Sequence, residues 1–402
     1  VSFSHHPSLR IKRMKIGFLF NHYASHQILH AAPIAFELSR RWPDAEVTVV
    51  TAGCDAETTV RRLAAHYPGQ RCNMVRARVP ATARLLDPAV RHVRSIRKNA
   101  VLAANADRFA QLDILVVPEK TSLELKADPR CRQLKFVYTH HGAGDRASAF
   151  YSELGRFDLV LAPGAKIRDR LLDEGLVEPE RCRIVGYPKF EVAGALSGQP
   201  PAFRARRPIV IYNPHYARHE SSWRGMGRQV LEFFRSSPDY NLICAPHVLL
   251  YQRSLRHGAR PLGRYRGRDN IHVDTGSDAS IDMTYLQAAD IYLGDVSSQV
   301  YEFLQYPRPC IFLDAHGIEG WENDPSYHYW HAGPVLGSVD GLGEGLAEAR
   351  RTHASFEPTQ RCLFHRTFDS GLLPASTRGA DAIAEHFGLS QSGPAWEQIT
   401  AG

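Results

Sequence analysis

Short apolar runs alternate with longer amphipathic segments along nearly the whole chain. The short runs are bounded by turn residues and read as strands buried on both faces. The longer segments repeat their apolar residues every three or four positions and read as helices. In the first half the pattern predicts strands at Lys15–Phe20, Glu46–Thr51, Asp113–Val117, Lys135–Thr139, Asp158–Ala162 and Arg183–Val185. It predicts helices at Gln27–Arg41, Ala56–His66, Pro88–Gln111 and Ala165–Glu174. The rhythm restarts with strands at Pro208–Tyr212, Asn241–Cys244, Ile271–Val273, Ile291–Leu293 and Cys310–Leu313. Helices follow at Gly225–Arg235, Ile281–Ala288, Ser297–Tyr306 and Leu342–Thr352, with a last one near Arg378–Phe387. Such alternation is the signature of a parallel α/β architecture.

Glu191–Arg207 carries Gly194, Gly198, Pro200, Pro201 and several arginines, and reads as a linker. The expected organisation is an N-terminal extension at 1–13, a first Rossmann-like domain at 14–195, a second at 196–375, and a C-terminal helix and tail at 376–402. With 402 residues, two cores are expected rather than one. Two such halves predict a cleft between them, where ligands usually bind.

Composition narrows the partners. Hydrophobic residues at 44% and charged ones at 23% fit a globular protein. No apolar run reaches the roughly 18 residues of a membrane span. Val1–Arg13 is polar and basic, without the apolar core of a secretory signal. The seven cysteines stand singly, which fits reduced thiols in the cytosol and argues against a cysteine-held zinc. The net charge of +7 favours a polyanionic partner. Nothing resembles an RNP strand, zinc finger or recognition helix, so specific nucleic-acid binding is not expected. The expected location is the cytoplasm, with weak attachment to the anionic inner face of the membrane. Arg91, Arg94 and Lys98, at helical spacing, are the candidate contacts, or simply a solvated basic face.

The richest stretch for chemistry is Asp290–Phe303, which reads strand, turn, helix. Gly294 and Asp295 form the turn, and Ser297 and Ser298 stand at the helix start. Glu302 follows Ser298 by one turn. Hydroxyls at a helix start beyond a parallel strand suit phosphate, and Glu302 suits ribose hydroxyls. An ordinary serine cap with a solvated glutamate fits the same residues.

Three strand ends add histidines. Thr139-His140-His141-Gly142-Ala143-Gly144 offers His141 as a proton acceptor near neutral pH, beside glycines that allow close backbone approach. His140 reads as structural. Asn213-Pro214-His215-Tyr216 offers His215, to stabilise a leaving group, position an acceptor, or sit solvated in a loop. Pro246-His247 offers a contact to a diphosphate, or again a loop residue.

His22, His26 and His30 lack an acidic or cysteine partner nearby, so a metal is not expected; His26 is instead a candidate acceptor contact. The aromatic segment His316–Gly333 is long for a connection and reads either as a functional loop or as surface packing. P-loop and nucleophile-elbow motifs are absent.

These residues together resemble the CDP-glycerol glycerophosphotransferase family, the teichoic-acid polymerase-like enzymes of the GT-B superfamily. Thr139-His140-His141-Gly142 is similar to the family's W-H-G element, with His140 in place of Trp. Ile211–Tyr216 is similar to Y-A-P-T-W, with His215 in place of Thr. Ala245–Val248 is similar to an H-P element, with Val248 in place of Pro. Asp290–Phe303 is similar to A-D-x-x-x-x-D-Y-S-S-x-x-x-[DE]-x, with Val296 in place of Tyr. Val185–Pro188 fits the turn before the interdomain linker.

The resemblance implies a GT-B fold whose first domain binds the acceptor and whose second binds the nucleotide. It implies His141 as catalytic base and donor diphosphate contacts from His247, Ser297 and Ser298. To these the residue reading adds His215 as a second catalytic candidate, Asp295 and Glu302 as donor contacts, and His26, Gly142 and Arg146 as acceptor contacts. The implied reaction moves a glycerol-phosphate-like or glycosyl group from a nucleotide-activated donor to a glycan or glycolipid hydroxyl, without cofactor or metal. A nucleotide-sugar 2-epimerase-like enzyme and a non-catalytic glycan-binding or assembly protein are the alternatives on this fold.

Overall fold

The structure is a computed structural model that describes residues 13–21, 27–83, 96–144, 150–196, 198–252 and 262–389. The chain divides into two compact units. One comprises Val1–Thr139, Arg156–Leu161 and Ser376–Gly402; the other comprises His140–Gly155 and Ala162–Ala375.

The strands of the first sheet are β1 (Lys15–Phe20), β2 (Glu46–Thr51), β3 (Asn73–Arg76), β4 (Ile114–Val117), β5 (Lys135–Thr139), β6 (Leu159–Ala162) and β7 (Cys182–Ile184). They lie in the order β3-β2-β1-β4-β5-β6-β7. The pairings from β3 through β6 are parallel. Helices α1 (Ile28–Arg41), α2 (Cys54–Ala64), α3 (Ile96–Ala104), α4 (Ala106–Phe109), α5 (Ala165–Asp173) and α6 (Lys189–Leu196) accompany them.

The second sheet contains β8 (Ile209–Asn213), β9 (Asn241–Cys244), β10 (Ile271–Val273), β11 (Ile291–Gly294), β12 (Cys310–Leu313) and β13 (Val335–Leu336). Its order is β10-β9-β8-β11-β12-β13, parallel throughout. Its helices are α7 (Ser222–Gly225), α8 (Gly227–Ser236), α9 (Val248–Gln252), α10 (Thr284–Ala288), α11 (Gln299–Phe303), α12 (Leu342–Arg351) and α13 (His353–Thr367), and α14 (Ala375–Phe387) ends the described chain. Both sheets thus have the doubly wound order, with the reversal between β1 and β4 and between β8 and β11.

Alternation along the strands explains the helices on both faces of the second sheet. Val210, Tyr212, Ile291 and Leu293 face one core with Trp223, Val230 and Phe234. Ile211, Tyr292 and Phe312 face the other with Leu286, Val300 and Tyr301.

Several expectations are corrected. The segment expected as one helix over Pro88–Gln111 breaks at Asn105, within its described part. That buried amide accepts from the Arg78 N–H at 2.9 Å and donates to the Arg78 and Val101 carbonyls at 2.9 and 2.7 Å. Lys98 on α3 is buried, so it does not present the exposed basic face expected of it; Arg91 and Arg94 lie outside the described residues. The expected linker begins inside α6, where Val192 and Ala193 are buried. The expected helix from Ser297 is shorter and starts at Gln299. No helix among the described residues is long and apolar enough to cross a membrane.

Candidate functional site

The site is built in the second unit, around the carboxyl ends of β8, β9 and β11, where the strand order reverses. Parallel strands deliver their following loops to one edge, and at the reversal neighbouring loops turn to opposite faces and leave room for a ligand. Backbone ties hold the loops together. The Asn213 side-chain N–H donates to the Ala245 carbonyl at 2.7 Å, and the His247 N–H donates to the Pro214 carbonyl at 3.0 Å.

Asp295 organises the reversal. One carboxylate oxygen accepts from the His215 and Val296 N–H groups at 2.9 and 2.6 Å; the other accepts from the Ser222 N–H and hydroxyl at 2.7 and 2.8 Å. Burial pushes its pKa up, and these donors oppose the rise. The carbonyl of Asp295 accepts from the Trp330 indole at 2.8 Å. Asp295 is therefore a brace between three loops and not an open donor contact, because its oxygens already receive these protons. The same bond settles the aromatic segment: Tyr329 and Trp330 are core residues, each 1% exposed, on a 3₁₀ helix over Pro325–Ala332.

Glu302 is likewise committed. Its carboxylate accepts from the Tyr187 hydroxyl at 2.8 Å and from the Lys189 ammonium at 2.8 and 2.6 Å. Burial and the neighbouring Glu302 push the Tyr187 phenol well above its ordinary range. Gly186, at φ +86°, makes the turn that brings Tyr187 and Lys189 to this position. The open ribose contact expected of Glu302 is replaced by a buried pair, since both partners are nearly inaccessible.

His215 departs from expectation in the same way. It is 1% exposed, and its Nδ1 accepts from the Ala217 N–H at 3.1 Å. It forms an edge with His247, ring centroids 5.4 Å apart, and Tyr216 lies 4.3 and 4.7 Å from the two. Of the pair, His247 is the half-buried one. Its Nδ1 accepts from the Leu249 N–H at 3.2 Å, so the neutral ring carries its proton on Nε2.

Ser297 is buried and Ser298 half-buried; the Gln299 N–H reaches the Ser297 hydroxyl at 3.4 Å. Opposite Ser298 runs the loop after β5. A Cβ added at Gly144 would lie 3.3 Å from the Ser298 Cβ, whereas one at Gly142 would meet nothing within 4 Å. In that loop His140 is buried, and burial, with His141 beside it, pushes its pKa down to about 3. His141 is half-buried.

The accessible set is thus His141, Gly142, His247 and Ser298, carried on a frame of His215, Asp295, Ser297 and Glu302. His26 and Arg146 lie outside the described residues. Lys166, Lys189 and Ser222 complete the frame without having been singled out from the sequence, and Trp330 joins it from the aromatic segment that was. Among the described residues no group of three or more His, Cys, Asp or Glu side chains is placed to hold a metal ion.

No family model matches the chain, and no curated protein matches it in sequence. Solved structures match in fold. The wall teichoic acid polymerase TagF has a TM-score of 0.60 at 14% identity, covering 93% of this chain and 89% of its own. A putative UDP-N-acetylglucosamine 2-epimerase from Listeria monocytogenes has 0.59 at 15%, covering 93% and 96%. The UDP-GlcNAc 2-epimerase from Neisseria meningitidis, bound to UDP-GlcNAc, has 0.55 at 11%, covering 93% and 99%. The likeness is one of fold: two parallel sheets, each flanked by helices, in the GT-B manner.

Proposed function

We propose that the protein is a GT-B transferase that takes a nucleotide-activated donor, CDP-glycerol foremost, and passes a glycerol-phosphate-like group to a hydroxyl of a glycan or glycolipid. The observation that carries this reading is the close approach of the His141–Gly144 loop to Ser298, beside the strand-order reversal of the second sheet at whose edge the half-buried His247 also stands. The fold shared with a teichoic acid polymerase and with nucleotide-sugar epimerases supports it.

In this reading His247 donates its Nε2–H, and Ser298 its hydroxyl, to the donor's phosphate oxygens. Such donors suit charge that grows on a leaving nucleotide, because they are already oriented. His141 takes the proton of the acceptor hydroxyl. The acceptor oxygen forms its bond to the phosphorus that carries glycerol. The bond from that phosphorus to the bridging oxygen breaks, and CMP departs with the electron pair. Alignment of nucleophile and leaving group is the main service the protein supplies in such a transfer.

The test is a thermal-shift screen with CMP, CDP, UDP and GDP, followed by turnover of CDP-glycerol and of UDP-sugars with a glycolipid acceptor. Ligand that binds the native state raises its apparent stability. Stabilisation by CDP with acceptor-dependent CMP release supports the transferase. Conversion of a UDP-sugar without acceptor would point to the epimerase. Binding of glycan with no nucleotide effect would point to a non-catalytic protein.

A further inference from the structure

Helix α5 carries two cations one turn apart, and each grips the loop that follows β5. The Lys166 ammonium donates to the Ala143 carbonyl at 2.7 Å. The same nitrogen stands 3.5 Å from the centroid of the Tyr301 ring on α11. The Arg170 guanidinium lies 4.0 Å from the Phe150 ring. Ala143 and Tyr301 are buried, at 2% and 0% exposure, so the Lys166 contacts form in a largely water-free setting. There a cation over an aromatic face is at its strongest.

We infer that Lys166 is a positioning residue that locks the His141–Gly144 loop onto the helix start carrying Ser298. The geometry is specific. Ala143 is two residues from His141, and Tyr301 is one helical turn from Ser298. A single ammonium therefore bridges the loop that carries the candidate base and the helix that follows the candidate phosphate contact. A neutral side chain of the same length fills the space but holds neither partner. Arginine keeps both kinds of contact, since it donates hydrogen bonds and stacks on aromatic faces.

The inference rests on the transferase reading for its catalytic consequence but not for its structural one, and the experiment separates the two. Wild type, Lys166→Met and Lys166→Arg are compared by amide hydrogen exchange over Gly142–Gly144, by CDP affinity, and by CMP release at saturating CDP-glycerol. Exchange in Lys166→Met is expected to rise roughly tenfold in that loop and to stay unchanged in β11, because loss of a local anchor opens only the local unit. CMP release is expected to fall by about 10²-fold, the scale of a misplaced catalytic group, with CDP affinity unchanged. Lys166→Arg is expected to restore both loop protection and rate. Unchanged exchange in Lys166→Met overturns the inference, whatever the enzyme turns over. Faster exchange in a protein that releases no CMP in its wild-type form upholds the anchor and removes the transferase reading instead.

Discussion

Lys189 and Glu302, 113 residues apart in sequence, form a bidentate ion pair with side chains 5% and 8% exposed. The pair joins α6 to α11 and so fixes the short helix whose start carries Ser298. A buried pair of this kind adds little net stability over an apolar pair, but breaking it strands a charge.

Lys189→Met and Glu302→Leu are therefore each expected to cost about 3–5 kcal/mol. The double variant should recover most of that loss, because no unpaired charge remains. Equilibrium urea unfolding reads all three. Single variants that lose less than about 1 kcal/mol would mean the pair behaves like an exposed one.

His140 predicts a pH dependence. Burial holds its folded pKa near about 3, below the ordinary 6.5. The unfolded chain then binds the extra proton, so protonation favours unfolding. The stability due to the neutral ring is full above the ordinary histidine pKa and is lost as pH falls from there toward about 3, at about 1.4 kcal/mol per pH unit. Unfolding of wild type and His140→Gln between these limits should show that slope in the difference. Parallel curves would contradict the burial of His140 as the cause.

The approach of the β5 loop to α11 can be trapped covalently. A Cβ placed at Gly144 would lie 3.3 Å from that of Ser298, just below the roughly 3.5–4.5 Å span of disulfides, so a small shift suffices for the bond. Gly144→Cys with Ser298→Cys should cross-link on mild oxidation, as read by peptide mapping under non-reducing conditions. A pair that stays reduced would place the loop elsewhere.

The two serines should separate in their effects. Ser298 is half-buried and Ser297 enclosed. Ser298→Ala should weaken CDP binding about tenfold or more, the worth of a hydrogen bond to a charged group. Ser297→Ala should leave affinity nearly unchanged. Titration calorimetry distinguishes them, and the reverse ranking would reassign the phosphate contact.

The strands were legible because buried parallel strands are compact apolar runs, as in Gly17–Phe20 and Ile114–Val117. β3 and β13 escaped notice because one is a half-polar edge strand and the other has two residues. α13 was missed because it contains Pro358 and buries few side chains. The accessible part of the candidate site was visible as histidines and serines at strand ends. Its frame was not. Asp295 and Glu302 read as open carboxylates because their partners, Ser222, Tyr187 and Lys189, lie 73 to 115 residues away. No local spacing encodes those distances. Lys98 looked like part of a basic face because helical spacing shows which side chains align, and not what covers them.

The central claim is that His141 is the base of a transferase whose nucleotide is held by other residues. The most direct test is CMP release from CDP-glycerol by wild type and His141→Ala at saturating donor and acceptor, with CDP affinity measured alongside. The account predicts a loss of about 10²–10⁴-fold in rate, the usual contribution of a general base, with CDP affinity nearly unchanged. Turnover close to wild type, or a rate loss matched by an equal loss of CDP binding, would contradict it.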